Sequence, residues 1–444
     1  MAVRYVLILG ERTLSDSLLD IEYLKKPPAG YLEPAVDIRV ELNKVVQGVK
    51  NSTYKSEYSF QADLFKKFNL IHDGHFRFFG DLLTTTLTFQ RQIPVVSVSL
   101  DGKELPQIYA KSDIDKFTGT GKTPSAFKTI NGIDAVKFLY DWSQLGASQD
   151  PDALWNTAFY SKPFDGSGPG WRGYFAGSGR FGYIWPGAST EVIYQNGTKV
   201  VYPTLATVKG NFTGITDGES VYQRFCVPKP APATAAAAAT PPAVTKVPGY
   251  PAPVIVSSDG VVSGYYLAAQ PDVAVLAMLS FEPASPPEFQ YVVQQFLAQA
   301  KKDGKKKLVV DVSANGGGYI FQGYDTFRQL FPQIVQDGNN RFRHLPATQL
   351  IADQYNEIIG NYTVDSIAGA TDPMINMYES PFNYKYDLNV QNKHFTSEKE
   401  KIGPYQYPEG GPATNYLRWD FEDPLTVSHI PITPPPLPSN QDSL

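Results

Sequence analysis

Residues 228 to 253, PKPAPATAAAAATPPAVTKVPGYPAP, constrain this chain more than any other stretch. Proline removes backbone donors and alanine offers little surface to bury, so the run cannot cover a core and reads as an extended linker. Folding must therefore happen on either side of it. For 444 residues, two or three folding units are expected. Residues 428 to 444, SHIPITPPPLPSNQDSL, read as a proline-rich, disordered tail of the same kind.

Upstream of the linker the texture changes once. Residues 1 to 92 read as a mainly helical segment, with Tyr58, Leu64, Phe65, Phe68 and Ile71 recurring near helical spacing. Asp73-Gly74 then supplies a stop, the glycine being free to take the left-handed conformation of a helix C-terminus. From Ile93 the pattern is that of strands. IPVVSVSLDGKELPQIYA gives two runs around Asp101-Gly102, and FKTINGIDAVKFLYDW gives a strand, an Asn131-Gly132 turn and a helix from about Asp134. Residues 93 to 227 are thus a small α+β module.

Downstream, VIVSSDGVVSGYYL is a hairpin around Asp259-Gly260 and DVAVLAMLSF a continuous apolar strand. PEFQYVVQQFLAQAKKDG is a helix opened by proline and closed by Gly304. KKLVVDVSANGGG is a second buried strand running into glycines, and YIFQGYDTFRQLFPQI a second helix. Alternating strands and helices over 254 to 427 predict an α/β domain with a parallel sheet, whose ligands sit at the carboxyl ends of strands.

Several function classes lose support. The net charge of -5 is mild and dispersed, so neither nucleic acid nor an anionic membrane surface is an expected partner. The basic run Lys301 to Lys307 falls where a helix should end and complements its dipole. No stretch approaches the ~18 apolar residues of a membrane span. TGTGKT (118 to 123) imitates a phosphate loop, but Lys116 occupies the position where its first glycine should stand. GSGRFG (177 to 182) matches a dinucleotide pattern without a strand-turn-helix context, and reads as a loop. No metal-ligand spacing appears, so no cofactor is expected. Cys226, alone, cannot form an internal disulfide and reads as a buried thiol. Asn51, Asn196, Asn211 and Asn361 are N-glycosylation sequons, a sign of secretory ancestry, although VLILG near the start is too short for a signal peptide.

Two stretches carry chemistry. The glycines of LVVDVSANGGGYI let backbone approach a substrate and aim amides beyond the strand; a tight strand-to-helix turn explains them equally well. NLIHDGHFRFF holds two of the chain's five histidines. His72 falls on the predicted helix and reads as structural. His75 follows the helix stop and opens an alternating run, so it can project from a strand edge as a base.

HDGHF at 72 to 76, the small module after it, and DVSANGGG at 311 to 318 together resemble the tail-specific (C-terminal processing) serine peptidases. The likeness is to their fungal secreted branch, similar to the chlamydial protease-like activity factor. PPAGYLEPAVDI, INGIDA, QDPDALWN and GYDTFRQLFP extend it over roughly 26 to 425. The resemblance implies a PDZ-like module at 93 to 227, a partial crotonase-like catalytic domain at 254 to 427, and cofactor-free endopeptidase chemistry on polypeptide substrates or peptide ligands. It implies His75 as general base and the amides of Gly316 and Gly317 as oxyanion-hole donors, with a later serine as nucleophile and a glutamate orienting the base. It also implies an extracellular site of action.

The serine is the difficulty. Ser380 precedes proline, Ser397 lies in a charged stretch, Ser428 leads into prolines, and Ser439 and Ser443 are in the tail. Ser366, in TVDSIAGA, is the one tolerable candidate, and it falls early for the family. The expectation is that the nucleophile is missing and the sequence shortened at both ends. A non-catalytic peptide-binding protein and a non-functional fragment are the competing expectations.

Overall fold

The structure, a computed structural model, describes residues 21–168, 170–227, 244–334, 336–367, 369–408 and 411–421. These fall into two compact units: 21–161 with 170–227, and 162–168 with 244–421. The apolar run near the start, the core of the Pro/Ala segment and the proline-rich tail lie outside the described residues.

The first unit opens with helices that sequence periodicity anticipated. Helix α1 (Ile38–Lys50) starts at Asp37, whose carboxylate accepts from the Arg39 and Val40 amides at 3.0 and 3.4 Å, a side-chain N-cap. Helix α2 (Glu57–Asn69) starts in a capping box between Ser56 and Ser59. It buries Phe60, Leu64, Phe65 and Phe68. Next comes an antiparallel five-stranded sheet ordered β1-β7-β6-β4-β5, built from β1 (Leu87–Arg91), β4 (Phe127–Ile130), β5 (Ile133–Asp134), β6 (Ser189–Tyr194) and β7 (Lys199–Val208). A separate hairpin pairs β2 (Val95–Val98) with β3 (Gln107–Ala110). Its connection spans 99–106, longer than a turn at Asp101-Gly102 alone. The Asn131-Gly132 turn is as expected, with both residues left-handed (φ 49° and 78°). Helix α3 (Ala135–Ser143) follows it and packs Ala135 and Leu139 onto Ile93, Ile108, Phe127 and Val192. Because β1 pairs with β7, the α+β module draws in residues from Leu87, ahead of the expected start at Ile93.

Arg91 is an oddity of this unit. It is buried, with its guanidinium 3.8 Å from the Trp142 ring centroid and 4.6 Å from that of Phe175, and Nη1 donates to the Phe175 carbonyl at 2.7 Å. Burial pulls its pKa down to about 9.

The second unit is an α/β layer, as the sequence implied. Its sheet runs β11-β10-β9-β8, from β8 (Ile255–Val256), β9 (Val262–Leu267), β10 (Gln270–Met278) and β11 (Lys307–Asp311). The parallel part is the β10–β11 pair, Val273 opposite Lys307 through Ala277 opposite Asp311. Helix α4 (Pro286–Lys302) makes that crossover, capped by Ser285 and ended before Gly304. Strands β8 to β10 are antiparallel because short turns join them; only Ala268 and Ala269 separate β9 from β10. Under the sheet α4 buries Phe289, Val293 and Phe296 against Val262, Leu276 and Met278. Gly264 has no room for a side chain, since a Cβ there would lie 2.2 Å from the Phe296 ring. Helix α5 (Ile320–Leu330) packs on α4, and a second lobe follows with helix α6 (Pro346–Ile359). In that lobe Lys401 is fully buried, 2.6 Å from Asp387.

Two details revise the sequence reading. Residues 244–253, expected as linker, contribute Val247 to a core with Leu279 and Ala314, and Tyr250 packs beside it, stacks on Tyr265 and donates to Asp311 at 3.0 Å. Strand β11, expected as a buried strand, is at the sheet edge among the described residues: Val309 and Val310 are 47% and 40% exposed. No helix among the described residues is long and apolar enough to cross a membrane.

Candidate active site

The glycine turn follows β11 and is held from within. The Asn315 side chain donates to the Met278 carbonyl at 3.2 Å and accepts from the Gly317 amide at 2.8 Å. The Gly317 carbonyl accepts from the Phe281 amide at 2.8 Å, and the Tyr319 amide donates to the Phe281 carbonyl, also at 2.8 Å. Each glycine has a different reason. Gly318 is needed sterically, as a Cβ there would sit 2.3 Å from the Phe281 carbonyl carbon. Gly317 has φ 100°, a backbone that side chains resist. Gly316 has neither constraint: its φ is not left-handed and a Cβ would meet nothing within 4 Å. Its amide has no acceptor among the described residues. Of the two predicted oxyanion donors, then, only Gly316 presents an uncommitted N–H; that of Gly317 is already bound to Asn315.

His75 belongs to the first unit. It does not sit on a strand: residues 75–80 are irregular, because Phe76 and Phe78 turn inward to stack on Phe68 rather than pair with a neighbouring strand. The His75 side chain is 96% exposed, with Nδ1 3.8 Å from the Asp73 carboxylate, too long for a hydrogen bond. The Asp73 carboxylate instead accepts from the His75 amide at 2.7 Å. The left-handed residue after the helix is His72 (φ 52°) and not Gly74, since the chain has already left α2 at Asn69. His72 is buried, its Nε2 3.5 Å from Glu33. Burial pulls the ring's pKa down more strongly than Glu33 and the Gly146 and Ser148 backbone raise it, so the imidazole is held neutral and structural.

Ser366 is occupied with its own helix terminus. In the short helix Val364–Ile367 its hydroxyl accepts from the Thr363 amide at 2.8 Å and donates to the Thr363 carbonyl at 3.1 Å. Among the described residues no serine hydroxyl is hydrogen-bonded to a histidine: His344 meets Gln349, and His394 lies 3.7 Å from Asp420. The structure therefore brings Gly316 and Gly317 onto one turn and links Ser366 neither to that turn nor to an imidazole by any hydrogen bond. Ser428, Ser439 and Ser443 lie outside the described residues.

Asn315, which orients the turn, escaped the sequence reading; its signal was an asparagine two positions before a glycine, the spacing of a side-chain-capped turn. Glu33, the partner of His72, had none. Cys226 is half-buried beside Asp81, and burial pushes its thiol up to about 11. The sequon asparagines Asn51, Asn196, Asn211 and Asn361 are all exposed.

The fold is thus an α+β module followed by an α/β layer whose edge strand runs into a glycine turn. Residues 88–213 match the family described as CPAF-like PDZ domain. The chain is 34% and 33% identical to the peptidase S41 family proteins phomP1′ and phomP1 of Diaporthe leptostromiformis, over 338 residues, 71% of this chain and 50% of each relative. It is 32% identical over 237 residues to the peptidase S41 family protein ustP of Aspergillus flavus. Mature CPAF complexed with lactacystin aligns in structure over 82% of this chain and 66% of that one, with a TM-score of 0.44 and 14% identity. These likenesses support a peptidase S41, CPAF-like family for this chain. It spans about half the length of the curated relatives it matches.

Proposed function

We propose that this chain carries the substrate-holding part of a serine endopeptidase, with His75 as general base and the Gly316 amide as the first oxyanion donor. The observation that carries the reading is Gly316: nothing within the fold requires glycine there, yet its N–H and the space above it are open. Such an amide is suited to the negative charge that develops on a scissile carbonyl. Gly317 joins it once Asn315 yields its amide to the substrate oxygen. An exposed imidazole with no hydrogen-bonded partner has a ring nitrogen available to take a proton from an attacking hydroxyl. The substrate is a polypeptide, and the sequons point to an extracellular setting.

A second reading is favoured by the serines. With no hydroxyl among the described residues paired to a histidine, this chain would bind peptides without cleaving them. A fluorophosphonate probe separates the two. Labelling of wild-type chain that is lost in His75→Ala, with casein cleaved in parallel, establishes the peptidase; no labelling removes it. Labelling lost in Ser366→Ala would identify that serine as the nucleophile after all.

A further inference from the structure

A cavity of about 910 Å³ lies wholly within the first unit, between the β2–β3 hairpin and the β6–β7 hairpin. That is the size of a site for several residues of extended ligand. Its walls are tied together: Gln195 donates to Gln107 across the two hairpins at 3.1 Å, and the Asn196 amide donates to the Ser125 hydroxyl at 3.2 Å. Tyr194 and Tyr202 line it with their hydroxyls joined at 2.9 Å. The site is thus braced by hydrogen bonds rather than being a gap between loops.

Two features of the lining do not suit an empty surface. Leu105, at its edge, is 88% exposed and Leu100 is 51% exposed, both on the same connection between β2 and β3. A ligand that covered these two leucines would remove their apolar surface from water. The charge is also one-sided. Asp101, Glu104 and Asp113 all line the cavity, and no lysine or arginine does. The carboxylates do not converge as metal ligands: no group of three or more metal-ligating side chains occurs among the described residues. Phe117 and the tyrosine pair line the same cavity, with the Lys116 ammonium 5.5 Å from the Phe117 ring centroid. Carboxylates that share a cavity with aromatic rings suit an organic cation, attracted by charge and ring quadrupole together.

We propose that this cavity binds a polypeptide segment in which a lysine or arginine adjoins a large apolar residue, the cation meeting Glu104 and Asp113 and the apolar group covering Leu105. The inference deepens the peptide-binding side of the reading above, and it is measured without proteolysis so that the two can fail separately.

The test is fluorescence anisotropy of the full chain with a labelled Gly/Ser peptide carrying a central Lys-Leu pair. Peptides with Glu-Leu and Lys-Ser in its place are the comparators. The expected result is saturable binding of the Lys-Leu peptide, weaker by about tenfold or more for each comparator and as ionic strength rises. Glu104→Gln with Asp113→Asn should weaken it similarly, as should Leu105→Ser; all three positions are outside the core, and Asp101 is left alone because it caps its own turn. Equal binding of the Glu-Leu peptide, or no binding of the Lys-Leu peptide, overturns the proposal without reference to any variant. Binding that is retained in all the variants places the peptide elsewhere and overturns it too. Fluorophosphonate labelling with no Lys-Leu binding would leave the peptidase reading standing and remove this one.

Discussion

At the scale of single residues, the three adjacent glycines are separable by what surrounds them. Gly318→Ala must push the Phe281 backbone aside and should cost several kcal/mol, on the order of an overpacked core site. Gly317→Ala keeps its space but strains its backbone, at about 1–2 kcal/mol. Gly316→Ala should leave the thermal midpoint almost unchanged, because the methyl meets nothing. Denaturant melts of the three variants check the order. If Gly316→Ala were the worst, the open space described above it would be wrong.

Asp325 makes a second prediction at this scale. It is buried on α5, accepts from Gln329 at 2.9 Å through one oxygen and has no partner for the other. Burial pushes its carboxyl up to about 6. A raised carboxyl pKa means the folded state binds the proton more tightly than the unfolded chain does. The associated stability is complete below the unfolded value near ~4 and is lost as pH rises through about 6. The charged form therefore weighs against the fold by about 2–3 kcal/mol at neutral pH. Asp325→Asn should melt higher than wild type at pH 7 and lose the advantage at pH 4; parallel pH profiles for the two proteins would refute this.

At the scale of elements, helices were the most legible because their signals are local. Asp37, Ser56 and Ser285 each stand one residue before a helix and cap it, and apolar spacing marked the buried face of α2. Ser285→Ala should cost about 1 kcal/mol by chemical melt, the usual loss for an N-cap. The stretch at 75–80 was not legible, since alternation there reflects two phenylalanines turning inward and not strand pairing. Strand β11 was misread for a related reason. An apolar run reports what could be buried, while neighbours decide what is, and its outer edge has no paired strand among the described residues. Val309→Lys, placing a charge on that edge, should reduce self-association in sedimentation at high protein concentration and leave the fold intact. Unchanged association would show that the edge takes no part in it.

At the scale of the whole molecule, the order of modules was readable from the Pro/Ala segment and from the motifs on either side of it. Of the candidate site, the glycine turn was legible as a glycine run after a strand. Gly316 and Gly317 were named from sequence, and the structure distinguishes them through the Asn315 side chain. His75 and the glycine turn reside in different compact units, so no local signal could relate them. The family relation and the chemistry of one polypeptide are likewise distinct, since the relatives it matches are about twice the matched length. The fluorophosphonate experiment belongs at this scale, because it reports the assembled catalytic unit and not any one residue of it.

Asn196 is both a sequon asparagine and part of the cavity wall. An oligosaccharide attached there would stand over the entrance like an awning, shading the tyrosine pair from anything approaching by diffusion. Chain made in a bacterial host and chain made in a glycosylating one would then differ in peptide affinity while sharing one fold, and enzymatic trimming of the sugar should abolish the difference.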